Sequence, residues 1–212
     1  MIHLVMKDFY VNRKYLLLIS MLVCFILILS GPSSSVAIFA GGFASYSMLI
    51  RSCFYDDKDK GDIFLRTLPI KKSVIVLSKY IFLLSMLIIV AVVSLLFSIL
   101  INEDFRAYYM SFMFFVPIIC FINAIYLPAF FKYGYEKATT YQTLLFLVMI
   151  FLPFGFEKIG SLMQMQDFNF LSSIISLITS SSIYTTFLVV CALSLALLAI
   201  SYKFSLKLYL AR

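Results

Sequence analysis

Long stretches without a charged side chain constrain the fold of this chain more than any other feature. A charge at the centre of a lipid bilayer costs about 2.5–3.5 kcal/mol on insertion scales, so charge-free stretches mark segments that can cross a membrane. A spanning helix needs roughly 20 apolar residues, with a usable range of about 17–25. The uncharged stretches are Tyr15–Ile50, Tyr80–Asn102, Ala107–Phe131, Ala138–Phe156 and Phe168–Tyr202.

The composition excludes a soluble domain, because 63% of the 212 residues are hydrophobic and only 13% are charged. Soluble domains are usually about 45–50% apolar and about 25% charged, and a water-soluble surface cannot hide this many apolar side chains. We therefore expect an all-α integral membrane protein embedded in the lipid bilayer. The net charge of +7 is explained by basic loops at the inner membrane face, without nucleic-acid binding.

Turn residues and stretch lengths divide these segments into six spans. The first stretch is long enough for two helices and contains Gly31-Pro32 followed by serines, which is typical of a turn. The last stretch holds one clear helix at its C-terminal end, whereas its first part is rich in Ser and Thr. We expect spans at about 15–30, 35–50, 80–101, 108–131, 140–156 and 185–202, in a single transmembrane domain that covers residues 1–212.

The basic residues are distributed very unequally between the two sides of these spans. With six spans, 15 of them lie on the side of the termini, and only Arg106 and Lys158 lie on the other. Because basic loops stay inside, we expect both termini in the cytoplasm and the chain in the cell (plasma) membrane. A seventh span would move three basic residues outward, so we expect residues Phe168–Ser182 to be a partly inserted extracellular segment. An interfacial position and a true span stay open as alternatives.

The first residues alternate apolar and charged side chains at helical spacing. Ile2, Val5, Met6 and Phe9 share one face, with charged residues between them. This pattern predicts an amphipathic elbow helix at residues 2–13 that lies on the inner leaflet. A signal peptide is the alternative, but its removal would unbalance the distribution of basic residues.

The longest polar segment on the predicted cytoplasmic side joins spans two and three. The loop Arg51–Lys79 carries eleven of the 27 charged residues of the chain. Its residues Asp57–Leu68 can form a short helix, because Asp56 or Asp57 can cap the N-terminus and Pro69 ends it. The apolar edge of this helix would consist of Ile63, Phe64 and Leu68. Such a helix is either a docking element or part of a solvated loop resting on the lipid.

The sequence around this helix follows a recognisable pattern. Acidic residues precede a Gly, then Ile-Phe-Leu-Arg-Thr-Leu-Pro-Ile-Lys-Lys, and Val-Leu-Ser-Lys-Tyr opens the third span. This pattern resembles type-2 ABC exporter permeases. In size and composition the chain is most similar to small Gram-positive permeases, such as the phenol-soluble-modulin exporters of staphylococci. The residues that carry the resemblance are Gly61, Leu65, Leu68, Pro69, Ile70, Lys72, Ser78, Lys79 and Tyr80.

The resemblance implies a coupling helix between spans two and three that docks on a separate ATPase. It also implies two permease subunits, identical or paralogous, which work with two copies of an ABC ATPase. ATP and Mg would bind to the ATPases, and this chain would hold no cofactor and catalyse no reaction. The docking residues would be Asp57, Asp59, Gly61, Ile63, Phe64, Leu65, Arg66, Leu68 and Pro69.

The residue types needed for catalysis or metal binding are scarce. The chain contains one histidine, His3, which sits near the N-terminus. Histidine-dependent catalytic triads and metal sites with several histidines are therefore excluded within this chain. No glycine-rich phosphate-binding motif occurs, and no charged residue lies well inside a predicted span. Ion-coupled transporters usually need such groups. We therefore expect no catalytic residue, no metal site and an external source of energy.

Small and polar residues inside the spans are candidates for helix packing or for a transport pathway. Ala37, Gly41 and Ser45 recur at four-residue spacing in span two, which lets helices approach closely. They can serve packing within one subunit, a dimer contact or a pathway wall. Asn123 lies between two prolines of span four and either bonds a carbonyl freed by a proline or faces the pathway.

The sequence therefore favours a permease of an ABC exporter that moves an amphipathic or apolar substrate, with peptide preferred, by alternating access. A cationic amphipathic peptide is the candidate cargo, because the predicted outer loops carry four acidic residues against two basic ones. Two alternatives stay open. One is a non-transporting immunity or sensor subunit, and the other is a lipid or polysaccharide exporter of the same fold.

Overall fold

Helices and their short connections make up the part of the chain that the structure describes. A computed structural model describes residues 2–30, 33–58, 71–102, 105–145, 147 and 183–211, and these ranges contain no strand. The all-helical fold class is confirmed. The helices are α1 (Ile2–Ser30), α2 (Ser34–Lys58), α3 (Lys72–Ile101), α4 (Phe105–Tyr133), α5 (135–145) and α6 (Ile183–Ala211).

Four of the described helices are long and apolar enough to cross a membrane. These candidate spans are Ser35–Lys58, Lys72–Ile101, Tyr108–Tyr133 and Thr185–Ala211. They match the second, third, fourth and sixth predicted spans, and they confirm a multi-pass membrane protein. The first predicted span lies within α1, and only the beginning of the fifth lies in α5. The total of six spans and the orientation of the termini therefore stay predictions.

Several sequence-based predictions concern residues outside the described ranges. They are the Gly31-Pro32 turn, residues 59–68 of the predicted coupling helix, the second half of span five and the partly inserted segment 168–182.

Three helices extend beyond the spans predicted from the uncharged stretches. The second span was expected to end at Ile50, but α2 continues to Lys58, and α3 begins at Lys72 rather than near Tyr80. Likewise, α6 runs to Ala211, nine residues past the predicted end. The reason is that charged residues mark where hydrocarbon ends, whereas a helix continues as long as its backbone hydrogen bonds do.

The predicted elbow and the first span form one unbroken helix, α1. Ile2 and Met6 are 70% and 61% exposed, as expected for residues that face lipid, but the opposite side of this helix is not solvated. Asp8 and Asn12 are completely buried against other helices. The polar face of residues 2–13 is thus a packing surface, and its position on the inner leaflet stays a prediction.

The buried core lies at one end of the helix bundle. There the start of α1 and α3 meets the end of α2, α4 and α6 and the start of α5. We call this part, formed by residues 2–12, 48–58, 72–86, 120–138 and 198–211, the charged end. Its fully buried side chains include Leu49, Cys53, Phe82, Leu83, Tyr126, Leu127 and Tyr209. The opposite part of the bundle, called the apolar half, exposes many large apolar side chains.

Candidate functional site

A lysine in the second turn of α3 is almost completely buried. Lys79 is 4% exposed, and its Nζ lies 3.0 Å from Asp8 Oδ1 of α1 and 2.5 Å from Asp56 Oδ2 of α2. Lys7 joins them, with its Nζ 2.5 Å from Asp56 Oδ1 and 3.5 Å from Asp8 Oδ1. We call these four residues the ion cluster. Its two positive and two negative charges balance, and they connect three helices.

Hydrogen bonds from neutral side chains reinforce the ion cluster. The Nζ of Lys79 donates to Ser52 Oγ at 2.6 Å, and Ser52 Oγ donates to Asp8 Oδ1 at 2.7 Å. Asn12 Nδ2 donates to the backbone oxygens of Asp8 at 2.8 Å and of Met48 at 3.2 Å. The start of α1 is therefore fixed to the end of α2 by polar contacts in a region closed to water.

The spacing of these residues explains how the helices present them together. Asp8 and Asn12 are four residues apart in α1, as are Ser52 and Asp56 in α2, so each pair lies on one face of its helix. Isolated buried charges are very costly, and pairing with hydrogen bonds offsets that cost. Removing one partner of a buried pair typically costs about 3–5 kcal/mol.

The ion cluster lies at the edge of the bilayer rather than in its middle. Lys79 precedes the far end of α3, Ile101, by 22 residues, which corresponds to roughly 33 Å of helix. The hydrocarbon core is about 30 Å thick. The cluster also flanks residues 59–70, because Asp56 lies two residues before the end of α2. Asp56 lies within the last turn of α2 before this segment, and Lys79 lies about two turns after the start of α3.

A second polar connection joins α3 to α6 and α4. Tyr80 Oη lies 2.7 Å from Ser201 Oγ and 2.8 Å from Ser205 Oγ, and Ser201 Oγ donates to the backbone oxygen of Ala124 at 2.7 Å. Pro128 has no N–H to bond that oxygen, so Ser201 replaces the missing helical donor. Since each hydroxyl has one proton, the chain of donors runs from Ser205 through Tyr80 and Ser201 to Ala124.

A third connection involves one of the predicted docking residues. Asp57 is exposed within the last turn of α2, and its Oδ2 accepts a hydrogen bond of 3.3 Å from the backbone N–H of Tyr135, at the start of α5. Gly134 separates α4 from α5 with φ of +85°, a conformation that favours glycine. Asp57 thus belongs to α2 and bonds the first turn of α5, and its role in docking stays a prediction.

The other predicted docking residues lie outside the described ranges, and their role stays a prediction. They are Asp59, Gly61, Ile63, Phe64, Leu65, Arg66, Leu68 and Pro69.

The small residues of span two face other helices of the same chain. A Cβ added to Gly41 would lie 2.7 Å from Val90 Cγ1 of α3, so the absence of a side chain allows this close approach. Ala37 and Ser45 are also buried, and with Gly41 they line a cavity of about 430 Å³ between α1, α2 and α3. The close approach of Gly41 to Val90 is a packing contact within the subunit, while a dimer contact or a pathway role of the three residues stays a prediction.

Asn123 is completely buried in α4. Its Nδ2 donates to the backbone oxygen of Ile119 at 2.8 Å, one turn earlier. This oxygen is not the one freed by Pro128, which is the oxygen of Ala124 that Ser201 bonds. Its Oδ1 has no hydrogen-bond partner among the described residues.

Sequence reasoning missed the ion cluster, although a signal was present. From the sequence, Lys79 is a charge of the cytoplasmic loop and Asp56 a candidate helix cap, while Lys7 and Asp8 belong to the amphipathic elbow helix. The four-residue spacing of Asp8 and Asn12, on the side of α1 opposite Ile2 and Met6, could have indicated a polar packing face. The partners themselves are separated by up to 71 positions, which no local pattern reveals.

The match to a protein family identifies the class of this protein. The family described as ABC-2 family transporter protein matches residues 3–210, nearly the whole chain, so the chain belongs to this family. It is a permease of an ABC transporter, a membrane subunit that is generally non-catalytic and whose family implies an ABC ATPase partner. No curated protein and no solved structure matches the chain.

Proposed function

We propose that the chain is the permease subunit of an ATP-driven exporter that moves amphipathic or apolar peptides out of the cell. It works by alternating access, as two permease subunits with two copies of a separate ATPase, which binds ATP and Mg. The charged end lies in the cytoplasm, in agreement with the distribution of basic residues. Residues 57–69 form the part that contacts the ATPase.

The observation that carries this proposal is the ion cluster beside residues 59–70. The segment between Lys58 and Lys71 connects α2 to α3. An ion pair of 2.5 Å between Asp56 of α2 and Lys79 of α3 joins these two helices. A displacement of this segment by an ATPase is therefore transmitted to α2 and α3 together. The contacts of Asp8 with Lys79 extend the displacement to α1, and Tyr80 extends it to α6. The charged end therefore moves as one rigid unit.

The docking part of the proposal is tested by one substitution in the segment and a matched control. Leu65→Asp places a charge on the proposed contact, and Leu210→Asp places the same charge on the 56% exposed Leu210 near the end of α6. When the chain is expressed with its ATPase, we expect Leu65→Asp to abolish co-purification of the two proteins and Leu210→Asp to preserve it. Unchanged co-purification for Leu65→Asp would refute the docking role.

The proposed cargo rests on the resemblance to small peptide exporters and on the lack of charged residues in the middle of the described spans. We expect a cationic amphipathic peptide to stimulate ATP hydrolysis by the assembled complex in lipid nanodiscs. Stimulation by a lipid-linked sugar, without an effect of the peptide, would instead favour a polysaccharide exporter. A complex that no cargo stimulates and that exports nothing would favour an immunity or sensor role.

A further inference from the structure

An arginine of the charged end lines an open cavity and has no acidic partner among the described residues. Arg51 of α2 borders a cavity of about 320 Å³ together with Tyr15, Tyr46, Phe54 and Tyr135. Among the described residues, no carboxylate forms an ion pair with Arg51, and its buried Nε has no hydrogen-bond partner. The guanidinium therefore brings a positive charge and an unused donor to this cavity.

Aromatic side chains hold the guanidinium in place. Its Cζ lies 4.2 Å from the ring centre of Tyr15 and 5.4 Å from that of Tyr55, and Nη2 donates to Tyr55 Oη at 3.1 Å. Such cation–π contacts fix the planar fork without neutralising its charge. Lys58, whose Nζ lies 5.6 Å from the ring centre of Phe54, adds a second positive charge next to the cavity. The carboxylate of Asp57 also lies beside the cavity, where it accepts a hydrogen bond from the backbone N–H of Tyr135.

The depth of Arg51 places this cavity just inside the boundary between the hydrocarbon core and the lipid headgroups. Arg51 follows the first residue of α2, Ser34, by 17 residues, which corresponds to roughly 25 Å of helix. With a hydrocarbon core of about 30 Å, the guanidinium lies near the boundary of this core on the side of the charged end. Tyr side chains gather at this level in membrane proteins, and basic pockets between spans bind anionic headgroups.

A second, apolar cavity lies next to the first one, on the side toward the middle of the membrane, and we call the two cavities together the groove. The cavity shares Tyr46 with a second one of about 220 Å³ between α2 and α4, which is lined by Phe39, Phe43 and Ile119. Phe39 and Phe43 are 56% and 58% exposed. From Arg51 to Phe39 the groove follows α2 for twelve residues, roughly 18 Å, close to the depth of one leaflet, which is roughly 15 Å.

We propose that this groove binds one anionic phospholipid of the leaflet next to the charged end. The headgroup phosphate accepts hydrogen bonds from the Arg51 guanidinium, and one acyl chain lies along Phe43 and Phe39. A free phosphate would fill only the end at Arg51, and an uncharged apolar molecule would fill only the end at Phe43 and Phe39. The apolar groove requires a hydrocarbon chain, and Arg51 requires an anion at its end.

The sequence offers a direct test, because it contains no tryptophan. In lipid nanodiscs, Phe43→Trp reports on the groove, and Leu193→Trp reports on a 64% exposed position of α6 at a similar distance from the helix end. Quenching by brominated phosphatidylglycerol is compared with quenching by brominated phosphatidylcholine. The ratio of the two quenching efficiencies measures the preference for the anionic lipid. One basic contact near a membrane surface corresponds to about a fivefold preference, and we expect this value at Phe43→Trp but not at Leu193→Trp.

The role of Arg51 is tested in the Phe43→Trp background. Arg51→Gln should lower the preference toward one, with Lys58 as the remaining nearby cation, whereas Arg13→Gln, at an exposed arginine of α1, should leave it unchanged. If Arg51→Gln does not fold, Arg51→Lys replaces it, and an intermediate preference is expected because the charge stays but the planar fork is lost. A preference that either Arg51 variant leaves at the original value would overturn the proposal.

Two further outcomes would also overturn it. The first is the absence of quenching by any brominated chain at Phe43→Trp, which would mean that another part of the protein covers the groove. The second is a thermal stabilisation by inorganic phosphate, dependent on Arg51, that equals the stabilisation by phosphatidylglycerol. That result would identify a site for free anions rather than for a lipid.

Discussion

The two halves of α3 differ strongly in burial and in the chemistry of their side chains. From Ile75 to Met86 its inward side chains are buried, and they include the charged Lys79 and the hydroxyl groups of Ser78 and Tyr80. From Ile88 to Leu100 most large side chains are apolar and exposed, with Leu100 reaching 79%. Ion pairs and hydrogen bonds fix the first half, whereas the exposed apolar side chains of the second half are suited to contact with lipid.

This difference shows how one chain can combine a rigid part with a part that rearranges. Ion pairs and buried hydrogen bonds have defined geometry, so the charged end keeps its arrangement when it is displaced. Apolar contacts are non-directional and can be exchanged for contacts with lipid or cargo at little cost. We therefore expect conformational changes during transport to occur mainly in the apolar half.

The largest expected effect comes from breaking the ion cluster. Lys79→Met leaves Asp8 buried without its main cation, and we expect a loss of about 3–5 kcal/mol in the free energy of unfolding, measured in detergent micelles. Adding Asp8→Asn should recover part of this loss, because no uncompensated charge then remains. The control Lys203→Met, at an exposed lysine of α6, should change little. An equally small effect of Lys79→Met would contradict the described rigidity of the charged end.

A matched pair of substitutions within α3 compares the two halves directly. Leu83 is completely buried and Leu100 is 79% exposed. We expect Leu83→Ala to cost about 2–5 kcal/mol, as for other large-to-small changes in a core, and Leu100→Ala to cost less than about 0.5 kcal/mol. Thermal unfolding of both variants in the same nanodiscs provides the comparison. Equal losses would mean that the two halves are packed alike.

A smaller effect is expected where Ser201 replaces the donor that Pro128 lacks. Ser201→Ala leaves the buried oxygen of Ala124 unsatisfied and should cost about 1–3 kcal/mol. In a Pro128→Ala background the backbone N–H at position 128 can bond this oxygen again, so the same change should cost clearly less. Unfolding free energies of the four proteins form a double-mutant cycle. If the effects of the two substitutions are additive, Ser201 does not bond the carbonyl oxygen of Ala124.

The sequence predicts the presence of the helices well, because twenty uncharged apolar residues have few other stable conformations in a membrane chain. It predicts the ends of the helices poorly. Lys58 and Lys72 lie beyond the uncharged stretches, but a charged side chain does not end a helix that has left the hydrocarbon core. The ion cluster could not be predicted from local patterns, because Asp8 and Lys79 meet only through the packing of α1 on α3. For the same reason Asp57 was assigned to the following segment, although it contacts α5.

The central claim is that the ion cluster transmits the movement of the ATPase to the spans. The most direct measurement compares peptide export and ATP hydrolysis by the assembled complex in proteoliposomes, with the original chain and with Asp8→Asn plus Lys79→Met. Both proteins should fold and bind the ATPase. We predict that the double variant still hydrolyses ATP but exports at least about tenfold less peptide per ATP, a factor that corresponds to about 1.4 kcal/mol of lost coupling free energy. Unchanged export per ATP would contradict the account.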